Sequence, residues 1–179
     1  PTQSVETTEL LKTLEVALLA DEIFRNREEV EYQRDRFDNS FTARLVFAEE
    51  PAQTYYSEIK NFILSYDKVK SRVSWKYDAF NIGRNLCAKM AVKGKTLVLY
   101  LPLDPKDEKY QNYHVTDVSE FSTYQGTPMC LRVRSRRAVK YATLLLAEVL
   151  ENIGAVRNEA AVETDYRPGK ISRAKLVKQ

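Results

Sequence analysis

The sequence predicts an α+β domain of two layers, in which helices pack against one face of a mostly antiparallel sheet, preceded by a helical arm. Apolar residues recur every three or four positions in three segments, which is the period of an amphipathic helix. Between two of these segments they alternate with polar residues in several consecutive runs, which is the period of a strand. Consecutive strands without a helix between them pair antiparallel, which favours the α+β class.

The first element is the helical arm, predicted for residues 1–38. Its apolar face consists of Leu10, Leu11, Leu14, Ala17, Leu18 and Ile23, whereas the residues after Phe24 are mostly charged. Two alternatives fit this pattern: the arm docks on its own domain, or residues 1–37 assemble the chain into an oligomer and make it a protein-interaction or scaffolding module. The α+β domain is predicted for residues 39–154, and a basic, flexible tail for residues 155–179.

The domain is predicted to begin with a strand and a helix. The segment SFTARLVFA alternates, and one of its faces consists of Phe41, Ala43, Leu45 and Phe47, as in a half-buried strand. Pro51 then stands where a helix can start, and this helix is predicted to end near Tyr66.

The rest of the domain is predicted to be rich in strands and to close with a helix. Alternation predicts strands over residues 73–79, 86–92, 97–103 and 129–133, and a weaker strand over residues 113–118. Gly94 suits the positive φ of a tight hairpin turn, and Pro102 marks the end of a strand or a sheet edge. Ser135 is a good N-cap for the closing helix, and Gly154 is a good terminator.

Catalytic, metal and cofactor chemistry has little support in the residue inventory. The chain has one histidine, His114, two distant cysteines, Cys87 and Cys130, and five glycines. These residues provide no nucleophile–base pair, no metal-ligand cluster and no phosphate-binding loop. One charged loop offers oxygen ligands for a cation, but a solvated loop is the simpler interpretation of Asp104, Asp107 and Glu108. We therefore predict a protein that is not an enzyme and has no cofactor.

Cysteine usage and hydropathy predict a cytoplasmic protein without membrane association. Two cysteines in apolar surroundings fit a reducing compartment better than a disulfide framework. No segment resembles a signal peptide, and the apolar run over residues 144–150 is too short to cross a bilayer.

Charge is distributed unevenly along the chain. Residues 1–54 hold 6 basic and 12 acidic residues, whereas residues 55–179 hold 22 basic and 13 acidic ones. The basic part predicts a surface for nucleic acid or for an acidic protein surface. Its predicted centre is a corner where a strand turns into a helix N-terminus, made of Arg132, Arg134, Ser135, Arg136, Arg137 and Lys140. The preceding strands add Lys68, Lys70, Arg72, Lys76, Arg84, Lys89, Lys93 and Lys95.

The corner has a physical rationale and a simpler alternative. Cations in the first turn of a helix oppose the helix dipole, and a bound anion offsets this cost because free N–H groups converge there. The alternative is that these side chains only keep the outer face of the sheet solvated. A small-ligand pocket is a further, weaker hypothesis, with Trp75, Tyr77 and Tyr100 as its lining.

Residues 40–153 resemble a family of uncharacterised bacterial domains that is common in Firmicutes. The resemblance rests on SFTARL, on YYSEIKNFILSYDKVKSRVSWKYDAFNIGR, on KGKTLVLYLPLDP, and on YHVTDVS with the closing RVRSRRAVKYA. The element order also resembles, more distantly, the YjbR-like domains, whose fold is similar to frataxin and has been discussed as a double-wing DNA-binding form. The resemblance implies the fold class and supplies no catalytic residues.

Overall fold

The computed structural model describes residues 14–20, 22, 25 and 38–169. In the arm, the described residues 14–20, 22 and 25 are helical. The remainder of the predicted apolar face of the arm, and with it the predicted oligomer through residues 1–37, lies outside the described residues. Residues 1–38 and 39–179 form two separate compact units. Among the described residues, no helix has the length and apolarity needed to cross a membrane.

Three helices belong to the second unit. They are α1 (Phe41–Val46), α2 (Glu50–Leu64) and α3 (Arg136–Asn152). The start of α2 agrees with the prediction from Pro51, and α3 begins after Ser135, whose Oγ accepts a hydrogen bond from the backbone N–H of Ala138. Gly154 follows α3 with φ +78°, the left-handed conformation expected of a helix terminator.

The segment of α1 was predicted to be a strand, and this prediction is wrong. Ser40 caps the helix through its Oγ, which accepts a hydrogen bond from the N–H of Ala43 at 3.2 Å. Phe41 and Leu45 stand four residues apart, so they share one face of a helix as readily as one face of a strand. Ala43 is small enough to be buried on the other side of this short helix.

Six strands of the described chain form one antiparallel sheet. They are β1 (Val69–Val73), β2 (Asp78–Ile82), β3 (Asn85–Lys93), β4 (Thr96–Leu101), β5 (Thr116–Asp117) and β6 (Met129–Val133). Their order across the sheet is β1-β2-β3-β4-β6-β5, so the two-layer α+β class is confirmed. The single strand predicted over residues 73–79 is wrong: the chain turns there, and the N–H of Ser74 donates to the carbonyl of Tyr77 at 2.8 Å.

Two-residue turns connect β2 to β3 and β3 to β4. In the β3–β4 hairpin, Lys93 pairs with Thr96, and Gly94 takes the predicted positive φ, +60°. Gly83 takes the same φ between β2 and β3, where Ile82 pairs with Asn85. The end of β4 at Leu101 also agrees with the strand end predicted at Pro102.

The inner face of the sheet packs against the three helices and forms the main core. The central strands contribute Phe80, Met90, Leu97, Leu99, Leu101, Met129 and Leu131, and α2 and α3 contribute Ile59, Ile63, Ala142, Leu145 and Leu146. All of these side chains are at most 2% exposed. Burying each large one stabilises the fold by about 1.5–3 kcal/mol before entropy is counted.

The outer face carries a second, smaller core. Ala91, Val98, Tyr100 and Cys130 are buried there, and Tyr77, Val118 and Tyr124 pack over them. The last two belong to the loop between β5 and β6, which includes a short 3₁₀ helix (Ser122–Tyr124), so the centre of the outer face is covered by this loop rather than by an α-helix. The sheet is therefore apolar on both sides at its centre.

Residues 155–169 run back along α2. The side chain of Asn61 brackets the backbone of Thr164: Nδ2 donates to its carbonyl at 2.7 Å, and Oδ1 accepts from its N–H at 2.9 Å. The N–H of Tyr166 donates to Ser57 Oγ at 3.0 Å. The sequence predicts a flexible tail here, whereas the structure gives these residues specific hydrogen bonds; the predicted tail beyond residue 169 lies outside the described residues.

Candidate functional site

Basic side chains recur on the outer face of the sheet, on three different strands. We call this set the basic outer face; it consists of Lys70 and Arg72 on β1, Lys89 and Lys93 on β3, and Arg132 on β6. One row of partners crosses five strands, from Arg72 through Ala79, Lys89 and Tyr100 to Cys130. Since neighbouring strands lie about 4.8 Å apart, this row is roughly 19 Å long.

The strands contribute no acidic residue to the basic outer face. The strand residues that share it include Ala79, Asn81, Ala91, Thr96, Val98, Tyr100, Thr116 and Cys130, and none of these is acidic. In the described part of the chain, none of its five cations has a carboxylate within ion-pairing distance. No ion pair among the described residues therefore cancels these positive charges, and such a surface attracts anions.

Two of the lysines are held against aromatic rings. The Nζ of Lys89 lies 4.6 Å from the centroid of Tyr77 and donates to the carbonyl of Thr123 at 3.4 Å. The Nζ of Lys93 lies 5.3 Å from the centroid of Tyr124. Such cation–π contacts hold an ammonium group in place without cancelling its charge.

Solubility alone explains part of this surface. β1 is the edge strand, and charged side chains on an edge strand prevent edge-to-edge association, which accounts for Lys70 and Arg72. The explanation does not apply to Lys89, Lys93 and Arg132, because β3 and β6 are interior strands. Protection of a sheet edge therefore does not account for these three residues.

The predicted corner at the start of α3 is divided between the two sides of the sheet. Arg132 points outward, whereas Arg136 turns to α2, where its guanidinium donates to both carboxylate oxygens of Glu58 at 2.6 and 2.8 Å. The anion that this helix start was expected to attract is thus supplied by the chain itself. Arg134 and Ser135 are exposed between the two elements, and Arg137 and Lys140 are exposed on α3 in the helical layer.

The other predicted residues fall in two places. Lys76 and Trp75 are exposed in the turn between β1 and β2, and Trp75 is 46% exposed. Tyr77 and Tyr100 both belong to the smaller core, but Tyr100 is fully buried, so its ring cannot line an open pocket. The structure therefore brings together two of the three predicted pocket residues, as packing partners.

A buried charged cluster was missed from the sequence. The carboxylate of Asp78 accepts hydrogen bonds from Lys60 Nζ at 2.8 Å, from the Tyr56 hydroxyl at 2.8 Å and from Ser71 Oγ at 2.6 Å. Burial and the nearby Asp78 carboxylate raise the pKa of Tyr56 well above its ordinary value. The ring of Tyr166 covers Lys60, 4.8 Å from its Nζ. The cluster is enclosed and its hydrogen bonds are satisfied internally, so its role is structural.

The sequence does carry a signal for this cluster. Tyr56, Ile59, Lys60 and Ile63 lie at helical spacings of three and four, which puts one lysine inside the apolar stripe of α2. A lysine at such a position requires a buried carboxylate. The turn between β1 and β2 is what brings Asp78 to Lys60, and the apolar pattern of the sequence does not reveal this turn.

Burial is the dominant influence on the two thiols, and it outweighs the opposite effect of the nearby cations Arg132 and Lys93 on the pKa of Cys130. Burial raises the pKa of both Cys87 and Cys130, which opposes formation of a nucleophilic thiolate. His114 is exposed after a 3₁₀ helix (Glu108–Tyr113), with φ +53°. Among the described residues, no group of three or more His, Cys, Asp or Glu side chains is placed to hold a metal ion.

A cleft of about 1020 Å³ lies between α2, α3 and residues 157–167. Its wall includes Asn61, whose side-chain amide is already engaged by Thr164. The returning segment therefore forms one wall of the cleft.

In comparisons with known proteins, no protein-family model, curated protein or solved structure matches the chain.

Proposed function

We propose that this chain is a non-enzymatic nucleic-acid-binding module whose basic outer face contacts the phosphate backbone. The observation that carries the proposal is the presence of three cations, Lys89, Lys93 and Arg132, on interior strands, with no acidic residue beside them on that face. Phosphate contacts from Lys and Arg dominate the affinity of proteins for nucleic acids. The raised pKa values of both cysteine thiols also favour a binding role over covalent catalysis.

The test is the salt dependence of binding in two matched double variants. Lys93→Gln/Arg132→Gln removes two charges from the basic outer face, and Arg137→Gln/Lys140→Gln removes two exposed charges from α3. Fluorescence anisotropy with 12-nucleotide single strands and 12-base-pair duplexes gives the slope of log Kobs against log salt. We expect the outer-face variant to lower this slope by about 1.4–1.8, because each lost phosphate contact removes about 0.7–0.9. The α3 variant should keep the wild-type slope.

Three results contradict the proposal. The first is the absence of binding to both nucleic acids at low salt. The second is equal weakening by both double variants together with equal binding of heparin, which identifies unspecific attraction of polyanions. The third is weakening by the α3 variant alone, which assigns the contact to α3 and not to the basic outer face.

A further inference from the structure

Phe121 is an exposed aromatic side chain on the loop that covers the outer face. It is 60% exposed, which is unusual for a phenylalanine that belongs to an ordered loop. Successive backbone hydrogen bonds fix the loop: Phe121 N–H donates to the carbonyl of Val118 at 3.1 Å, and Tyr124 N–H donates to the carbonyl of Phe121 at 2.8 Å. Val118 N–H donates in turn to the carbonyl of Pro128 at 2.9 Å. The ring is thus presented from a defined backbone.

A ladder of rings supports Phe121 from below. Its ring meets Tyr124 edge-on, with centroids 6.5 Å apart and an interplanar angle of 82°. Tyr124 stacks on Tyr100, with centroids 4.2 Å apart and an angle of 8°. Since Tyr100 is fully buried in β4, the ladder is anchored in the sheet. A partner that contacts Phe121 therefore meets a preorganised surface and loses little affinity to ordering it.

Cations of the basic outer face border this same loop. Lys89 donates to the carbonyl of Thr123, two residues after Phe121. Lys93 lies over the ring of Tyr124, and this ring is in edge-on contact with Phe121. Groups suited to a phosphate and a ring suited to a planar apolar partner thus occur on one short loop and the strand beneath it.

We propose that the basic outer face takes single-stranded nucleic acid, with a base stacked on Phe121. This proposal rests on the proposed function and specifies its ligand. A duplex offers phosphates but keeps its bases stacked inside, so it leaves Phe121 without a partner. A single strand offers both groups, and stacking of bases on aromatic side chains next to a basic groove is the general mode of such binding.

The experiment compares three ligands with the same number of phosphates per strand. They are a 12-nucleotide thymidine strand, the same strand with abasic residues in place of the bases, and a 12-base-pair duplex. For the wild-type chain we expect the thymidine strand to bind more tightly than the abasic strand. Phe121→Ala should weaken thymidine-strand binding roughly 5- to 150-fold, leave abasic-strand binding unchanged and keep the salt slope. Leu144→Ala is the matched control, since Leu144 is 57% exposed on α3.

The outcomes separate this inference from the proposed function. Equal binding of the thymidine and abasic strands overturns the single-strand proposal while leaving nucleic-acid binding intact. The same conclusion follows if the duplex binds more tightly than both strands and its affinity is unchanged by Phe121→Ala. Absence of binding to all three ligands overturns both proposals. An equal loss in Phe121→Ala and Leu144→Ala, with a lowered melting temperature in both, assigns Phe121 to stability and also overturns the stacking role.

Discussion

Lysine side chains on the two faces of the sheet differ in whether a carboxylate pairs with them. On the inner face, Lys60 reaches from α2 into the core and is 7% exposed, with its ammonium 2.8 Å from Asp78. On the outer face, Lys89 and Lys93 also lie against aromatic rings, yet no carboxylate accompanies them. Both kinds of lysine have cation–π contacts, so the carboxylate is the feature that distinguishes them.

The difference indicates what each group of charges is for. An ammonium that loses its water must be paired, because an uncompensated buried charge costs several kcal/mol. An ammonium that keeps part of its water needs no partner, and its charge stays available to a ligand. The Lys60–Asp78 pair therefore stabilises the fold, and the outer cations are available for the proposed contact with nucleic acid.

The largest expected effect on stability comes from removing the ion pair between Lys60 and Asp78 on the inner face. Asp78→Ala should lower the free energy of unfolding by about 3–5 kcal/mol, because it leaves the buried amino group of Lys60 without its partner carboxylate. Urea unfolding followed by circular dichroism measures this loss. Adding Lys60→Met to Asp78→Ala should recover part of it, since the orphaned charge is removed. Asp165→Ala is the control, because Asp165 pairs with Arg167 at an exposed site. Equal stability of Asp78→Ala and Asp165→Ala would mean that the buried Lys60–Asp78 pair contributes no more to stability than an exposed ion pair.

A smaller effect is expected where the returning segment covers Lys60. Asn61→Ala removes both hydrogen bonds to the backbone of Thr164, each contributing roughly 0.5–1.5 kcal/mol. We expect the amide hydrogens of residues 163–167 to exchange faster in this variant, while those of β3 and β4 keep their wild-type rates. Hydrogen exchange with mass spectrometry distinguishes the two regions. Gln53→Ala serves as control, since Gln53 bonds to the carbonyls of Leu45 and Val46 instead. Uniform acceleration across the sheet would show that the segment is integral to the core.

The smallest effect concerns a charge network that is intermediate between the two faces in exposure. Hydrogen bonds from Lys109 and from the hydroxyl of Tyr110, both at 2.7 Å, lower the pKa of Glu148 below its ordinary value of 4.5. A carboxyl group with a lowered pKa in the fold stabilises it above the unfolded pKa, and this contribution is lost as the pH falls through the folded pKa. The stability difference between wild type and Glu148→Gln should thus be constant near neutral pH and shrink below about pH 4.5. Thermal unfolding across this range measures it, and a difference that grows on acidification contradicts the assignment.

The sequence predicted those elements that have both a regular apolar period and a clear end signal. β3, β4, β6 and α3 follow such a period, and Gly94, Ser135 and Gly154 mark ends of these elements. α1 has only six residues, and the spacing of Phe41 and Leu45 fits a helix and a strand equally. The turn at residues 74–77 was hidden because Trp75 and Tyr77 continue the alternation of the strand before it.

The candidate site was predictable in charge but not in geometry. The excess of Lys and Arg after residue 54 indicated a basic surface, and it included Arg72, Lys89 and Arg132. The side on which each cation lies depends on pairing register, and the pairing of Arg136 with Glu58 joins residues 78 positions apart. Phe121 was missed because a lone aromatic residue in a polar loop has no periodic signal. Its relation to Tyr124 and Tyr100 exists only once the loop has folded over the sheet.

The hydrogen bonds that hold residues 155–169 to α2 also bear on the order of folding. Asn61 and Thr164 are 103 residues apart in the chain, and Ser57 and Tyr166 are 109 apart. Contacts across such separations form late, because closing a long loop is entropically costly before other contacts shorten it. During synthesis the sheet and α3 precede this segment, so Lys60 acquires the covering ring of Tyr166 only when the last part of the described chain has been made. Docking of this segment thus closes the core over Lys60, the one buried lysine of the described chain.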